Sequence, residues 1–105
     1  MLETNQVLRV ADLVSYQNGG IVSRQLVKKT TGNITAFAFD AGQELTEHTS
    51  PFEALVEVVE GEATIVIADQ PHTLRQGEMI VLPASVPHAV RAEKRFKMLL
   101  TMIRS

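Results

Sequence analysis

The chain contains no cysteine. That absence excludes a disulfide framework, a thiolate-held zinc site and a thiol nucleophile together. Tryptophan is also missing, and the aromatic side chains amount to four Phe and one Tyr, too few for a platform on which nucleic-acid bases could stack. Neither sign of charge dominates. The formal net charge is −2 and no segment gathers Lys and Arg, so nucleic acid finds no electrostatic footprint. No apolar run approaches a membrane span in length. The opening residues, Met1 to Gln6, lack the basic and apolar regions of a secretory signal, so the cytoplasm is the expected compartment.

What is present is a balanced chain of 105 residues, 45% apolar and 21% charged, sized for one domain with one core. Turn signals recur along it: Asn18-Gly19-Gly20, Thr30 to Asn33, Asp40-Ala41-Gly42, Gly61-Glu62, Asp69-Gln70-Pro71 and Gln76-Gly77. Between them lie short runs rich in branched and aromatic residues, at 21–27, 34–39, 54–60, 63–67, 72–75, 79–82, 88–91 and 96–103. About nine short strands without a convincing amphipathic helix predict an all-β sandwich or barrel. Residues 1–8 are expected to be loosely held, and Val10 to Val14 to form a helical turn or an edge segment. The expected organisation is an N-terminal segment, 1–19, on or beside a barrel of residues 20–105.

Alternation along the strands predicts which faces turn inward. Ala54, Val56 and Val58 share one apolar face, opposed by Glu53, Leu55, Glu57 and Val59. Phe96, Met98, Leu100 and Met102 share another, opposed by Lys97, Leu99, Thr101 and Ile103. With Met79 or Ile80, the inward faces predict either a deformable apolar cavity or a core filled by methionine. Ser50 has no base-and-orienter arrangement that would make it a nucleophile. His72, just past a turn, is expected to be exposed and carries no role.

Two stretches stand out. Gly42 is followed by five residues and His48, and Gly61 lies thirteen residues after that histidine; Gly77, Pro83 and His88 form a second spaced set. In order and spacing these resemble the two motifs of the cupin superfamily, small jelly-roll β-barrels that often hold a metal inside. The resemblance covers roughly residues 20 to 103 and implies a single-domain jelly roll of antiparallel strands. It also departs from the pattern: Ser50 and Ala54 stand where the family has a histidine and a glutamate, Ser85 where it has a glycine, and Ala92 where it has an asparagine. Only His48 and His88 carry over as metal ligands. Glu53 adjoins the lost position but points outward by parity unless a bulge re-aims it, whereas Glu44 shares parity with His48 and could reach the cavity mouth.

The expected site therefore comprises His48 and His88 with a pocket of Ser50, Ala54, Val56, Met79, Phe96, Met98 and Met102. Three readings follow: a small-molecule binder, a metal-dependent oxygenase or isomerase holding Fe, Mn, Ni or Zn, and a metal-free acid–base enzyme using a histidine. A divalent ion and no cofactor at all are nearly balanced expectations. The family also implies a homodimer formed through an outer sheet face such as Leu55/Glu57/Val59.

Overall fold

A computed structural model describes residues 2–104. It contains one 3₁₀ turn, Val10–Asp12, and nine strands: β1 (Ile21–Lys29), β2 (Gly32–Phe39), β3 (Glu44–His48), β4 (Glu53–Glu60), β5 (Glu62–Ile67), β6 (Gln70–Arg75), β7 (Met79–Leu82), β8 (His88–Arg91) and β9 (Phe96–Ile103). They form two antiparallel sheets, ordered β1-β2-β9-β4-β7 and β3-β8-β5-β6. The jelly-roll expectation is met. Met1 and Ser105, the ends of the two expected segments, lie outside the described residues.

The core fills the space between the sheets. Val56 and Val58 of β4, Ile65 of β5, Phe39 of β2, and Phe96 and Met98 of β9 are wholly buried there. The Phe39 and Phe96 rings stack with centroids 4.6 Å apart. Each such side chain contributes about 1.5–3 kcal/mol by leaving water.

Gly61 does more than make the tight turn its sequence suggests. β4 belongs to the larger sheet and β5 to the smaller, so Gly61 is the corner at which the chain changes layer. Its φ is 78°. A Cβ at Gly61 would lie 2.6 Å from the Arg95 carbonyl oxygen, so both backbone angle and space call for glycine. The expected turn at Asp69 to Pro71 is displaced. Ala68 and Asp69 carry the positive φ angles, 49° and 65°, and Pro71 already sits in β6 opposite Val66. β6 is an edge strand, where the missing N–H of proline is tolerated.

The outer face of the larger sheet is partly covered by the chain itself. Val14, Leu26, Ala36 and Ala38 form a second buried cluster, joined by Leu2, Leu13, Tyr16 and Leu99. The Leu2 N–H donates to the Leu26 carbonyl at 2.9 Å, so the first residues are tied at their start, although Val7 is fully exposed. Lys97 is consequently buried. Its Nζ donates to the Ala11 carbonyl at 2.6 Å and lies 3.8 Å from Glu60 Oε2 and 4.9 Å from the Tyr16 ring centroid.

Candidate functional site

β3 carries His48 and β8 carries His88, and the two strands pair so that these histidines stand opposite each other. Glu44 faces Arg91 and Leu45 faces Val90, then the register slips between Leu45 and His48. That irregularity decides the site. In strict alternation Leu45 and His48 would face opposite ways, yet both line the same interior cavity. Glu44 is left on the outer face, 3.8 Å from Arg91 Nε, and does not reach the cavity as parity with His48 suggested. Glu53 is exposed, as its own parity required.

The two imidazoles meet edge to face, with ring centroids 4.4 Å apart, planes at 73° and Nε2 atoms 3.1 Å apart. Backbone carbonyls orient both rings. His48 Nδ1 lies 2.8 Å from the Thr46 oxygen and His88 Nδ1 lies 3.1 Å from the Val86 oxygen. A carbonyl oxygen only accepts, so each Nδ1 carries the proton and each Nε2 presents a lone pair. His88 is buried, whereas His48 is exposed at the mouth. Burial holds the His88 imidazole below its ordinary value; the Val86 carbonyl partly offsets this, and the neighbouring His48 adds to the depression.

Beneath the pair lies a cavity of about 290 Å³. Ala54 and Val56 of β4, Leu82 of β7, Val90 of β8, and Met98, Leu100 and Met102 of β9 form its apolar wall. Thr49, Ser50 and Pro51 complete the rim. A larger groove, about 550 Å³, runs under the N-terminal segment beside Glu3, Gln6, Arg9 and Arg24, but brings no histidine and no convergent chemistry.

Of the residues named from sequence, His48, His88, Ser50, Ala54, Val56, Met98 and Met102 line the cavity. Met79 does not. It is 55% exposed, opposite Glu57 on the outer face of the sheet, and its neighbour Ile80 is the one that packs on the core. Phe96 does not line it either, because stacking on Phe39 buries it in the solid part of the core. Leu82 and Val90 were missed, although each shares parity with an inward residue, Ile80 and His88. Leu45 was hidden by the register slip. His72 is exposed.

Ser50 has structural work. Its Oγ accepts the Phe52 N–H at 3.2 Å, and its carbonyl accepts the Ser85 N–H at 2.7 Å. Ser85 holds the left-handed conformation, φ 63°, that a glycine would adopt more easily. Ala92 is buried, and it exchanges backbone bonds with the β3 approach: its N–H donates to the Gln43 carbonyl, and the Gly42 N–H donates to its own.

Nitrogen ligands at about 2.0–2.1 Å from one ion stand roughly 3 Å apart at tetrahedral or right angles, so the Nε2 spacing is compatible with shared coordination. The rest of a donor set is lacking. Ser50 and Ala54 occupy the other two positions, and among the described residues no three His, Cys, Asp or Glu side chains converge. The residues present do not fit a metal held by the protein alone.

Two antiparallel sheets closed over an apolar cavity with a histidine pair at its mouth define a small jelly-roll barrel of the cupin kind. A family model described as a cupin domain matches residues 36–103, and the chain belongs to that family. It is similar to a conserved protein of unknown function from Streptococcus pyogenes, with 36% identity, 99% of this chain and 91% of that one covered, and a TM-score of 0.93. It is also similar to a cupin 2 conserved barrel domain protein from Leptotrichia buccalis, with 43% identity over 90% of this chain and 46% of that one, at a TM-score of 0.87. A curated relative, protein SchB of Streptomyces halstedii, is 32% identical over 80 residues, 71% of this chain. The chain spans 58% of the length of that relative.

Proposed function

We propose that this cupin binds a small, partly apolar molecule in the barrel interior, anchored at the mouth by His48 and His88. The observation that carries the reading is the 290 Å³ cavity, whose wall is almost wholly aliphatic and thioether and whose polar groups gather at one end. At about 30 Å³ per water, that volume equals roughly ten waters, so the ligand has on the order of ten non-hydrogen atoms. Met98 and Met102 give the wall a deformable lining. The reading places the protein in the cytoplasm and pairs it with a second copy of itself.

The test is a fragment titration of EDTA-treated protein followed by methyl NMR. Fragments of that size are expected to shift the Met98, Leu100 and Met102 methyl signals, and Ala54→Leu, which extends a side chain into the cavity, is expected to abolish those shifts. Shifts that persist unchanged in Ala54→Leu would place the ligand elsewhere and sink the reading.

One observation favours a second reading, a metal-dependent oxygenase or isomerase: the two Nε2 atoms converge with both Nδ1 atoms held by carbonyls, as in many metal-binding histidines. An Fe, Mn, Ni or Zn ion there would take its remaining ligands from water or the bound molecule. Elemental analysis of untagged protein separates the two. Near one metal per chain favours the second reading; metal-free protein that binds fragments without added ions favours the first.

A further inference from the structure

Two exposed apolar features stand on the outer side of the larger sheet and do not meet within one chain. The first is a ridge on the N-terminal segment. That segment is tied down at Leu2, whose N–H donates to the Leu26 carbonyl, and again at Ala11, whose carbonyl accepts from Lys97 Nζ. Between the two ties Val7 is fully exposed, and Leu8, Arg9 and Val10 are exposed beside it. The second is a strip of the sheet that the segment leaves uncovered. β9 links the two features. Leu99 packs under the segment, whereas Thr101 and Ile103, on the same face by alternation, border a shallow groove of about 180 Å³. Glu53 and Leu55 of β4 and Val81 of β7 complete its outer rim.

Charge matches the ridge to the strip. Glu53 and Glu57 stand two residues to either side of Leu55, so the outward row of β4 reads acidic, apolar, acidic. Both glutamates are exposed. The ridge offers apolar side chains around one cation, Arg9. The segment's own acids lie outside it: Glu3 accepts from Gln6 Nε2 at 2.8 Å, and Asp12 sits in the 3₁₀ turn. Among the described residues, no ion pair engages Arg9, Glu53 or Glu57. A two-fold contact requires both halves on one face, because each copy must supply what the other receives.

We propose that a second copy of this chain docks face to face, so that residues 7–10 of one protomer lie on the Leu55, Val81 and Ile103 strip of its partner. Arg9 then stands between the partner's Glu53 and Glu57, and the two-fold axis makes the same contact twice. The inference rests on the pairing with a second copy in the reading above and names the surfaces that meet. It also ties the contact to the cavity. β4 and β9 wall the cavity with Ala54, Met98, Leu100 and Met102 on their inner faces, so the partner's segment lies directly behind that wall.

The experiment is analytical ultracentrifugation of the full chain over a range of concentrations. Wild type is expected to sediment as a dimer. Arg9→Glu sets an acid against the glutamates of the strip, and the double variant Glu53→Arg with Glu57→Arg sets bases against Arg9. Each alone is expected to weaken the dimer at least ~10-fold. All three positions are exposed, so thermal midpoints close to wild type are expected to confirm that both variants fold. Mixed in equal amounts, the two variants restore opposite charges at both contacts, and a heterodimer of near wild-type affinity is expected. A monomeric wild type removes both this contact and the pairing it rests on. A dimer that either variant leaves untouched overturns this contact and leaves the pairing standing. Two weakened variants whose mixture stays monomeric overturn it as well.

Discussion

Asp40 joins three distant parts of the chain. Its carboxylate accepts from the Gly19 N–H at 2.6 Å and from Arg95 Nε at 2.7 Å, while Arg95 also donates to Asn18 Oδ1 at 2.5 Å. The Arg95 side chain first, and then the Gly19 N–H, pull the Asp40 carboxyl down from 3.8 to about 2. A carboxyl lowered by folding stabilises above its ordinary value and loses that contribution as pH falls through the folded one. Asp40→Asn is therefore expected to melt below wild type at neutral pH, with the two curves converging between about pH 4 and pH 2. Thermal midpoints across that range check it, and a gap that stays constant down to pH 2 would remove the ion pair as its source. The Asn18-Gly19-Gly20 turn was legible in the sequence because its chemistry is local. The Asp40–Arg95 pairing was not, because the partners are 55 residues apart and only the fold brings them together.

Among the elements, the corner at Gly61 and the slip in β3 govern the site most directly. Gly61→Ala sets a Cβ 2.6 Å from backbone and forces a non-glycine residue to hold φ 78°. Strain of this kind costs on the order of 1–3 kcal/mol before the Arg95–Phe96 segment shifts. The expected outcome is an unfolding free energy lowered by that amount, read as a lower urea midpoint with an unchanged slope; a midpoint equal to wild type would show that the corner relaxes freely. Strand parity anticipated β4 and β9 well, since Ala54, Val56, Val58 and Met98 are all buried. It misled at β3. Glu44-Leu45-Thr46-Glu47-His48 has one apolar residue, so no period marks it as a strand, and the slip that turns His48 inward leaves no local signature. At β7 parity allowed Met79 or Ile80 to turn inward and the expected pocket included Met79, but pairing with β4 sets Ile80 opposite the buried Val56 and leaves Met79 outside.

At the scale of the whole molecule, an apolar region of the larger sheet is left bare by the chain itself. Met79 and Val81 of edge strand β7, with Ile103 of β9, are exposed on the outer face of the larger sheet, and Leu55 of β4 lies opposite Val81. The N-terminal segment covers the other part of that sheet, over Ala36 and Ala38. We propose this bare face as the contact of a homodimer, because contiguous exposed apolar side chains mark association surfaces. Light scattering on wild-type protein is expected to give twice the chain mass, and Val81→Lys to shift it to the single-chain mass. A monomeric wild type at high concentration would sink the proposal. At the same scale, the sequence by itself determined the all-β class, most of the strands, the inward faces of β4 and β9, and the two histidines with Ser50 and Ala54 where further ligands would stand. Spacing and alternation are local properties, and a chain carries them before it folds. Only the tertiary structure decided that His48 and His88 face each other at 3.1 Å, that Glu44 stays outside, and that Met79 and Phe96 stand clear of the cavity. Those outcomes depend on register between strands tens of residues apart, and register is settled by packing rather than by any local pattern.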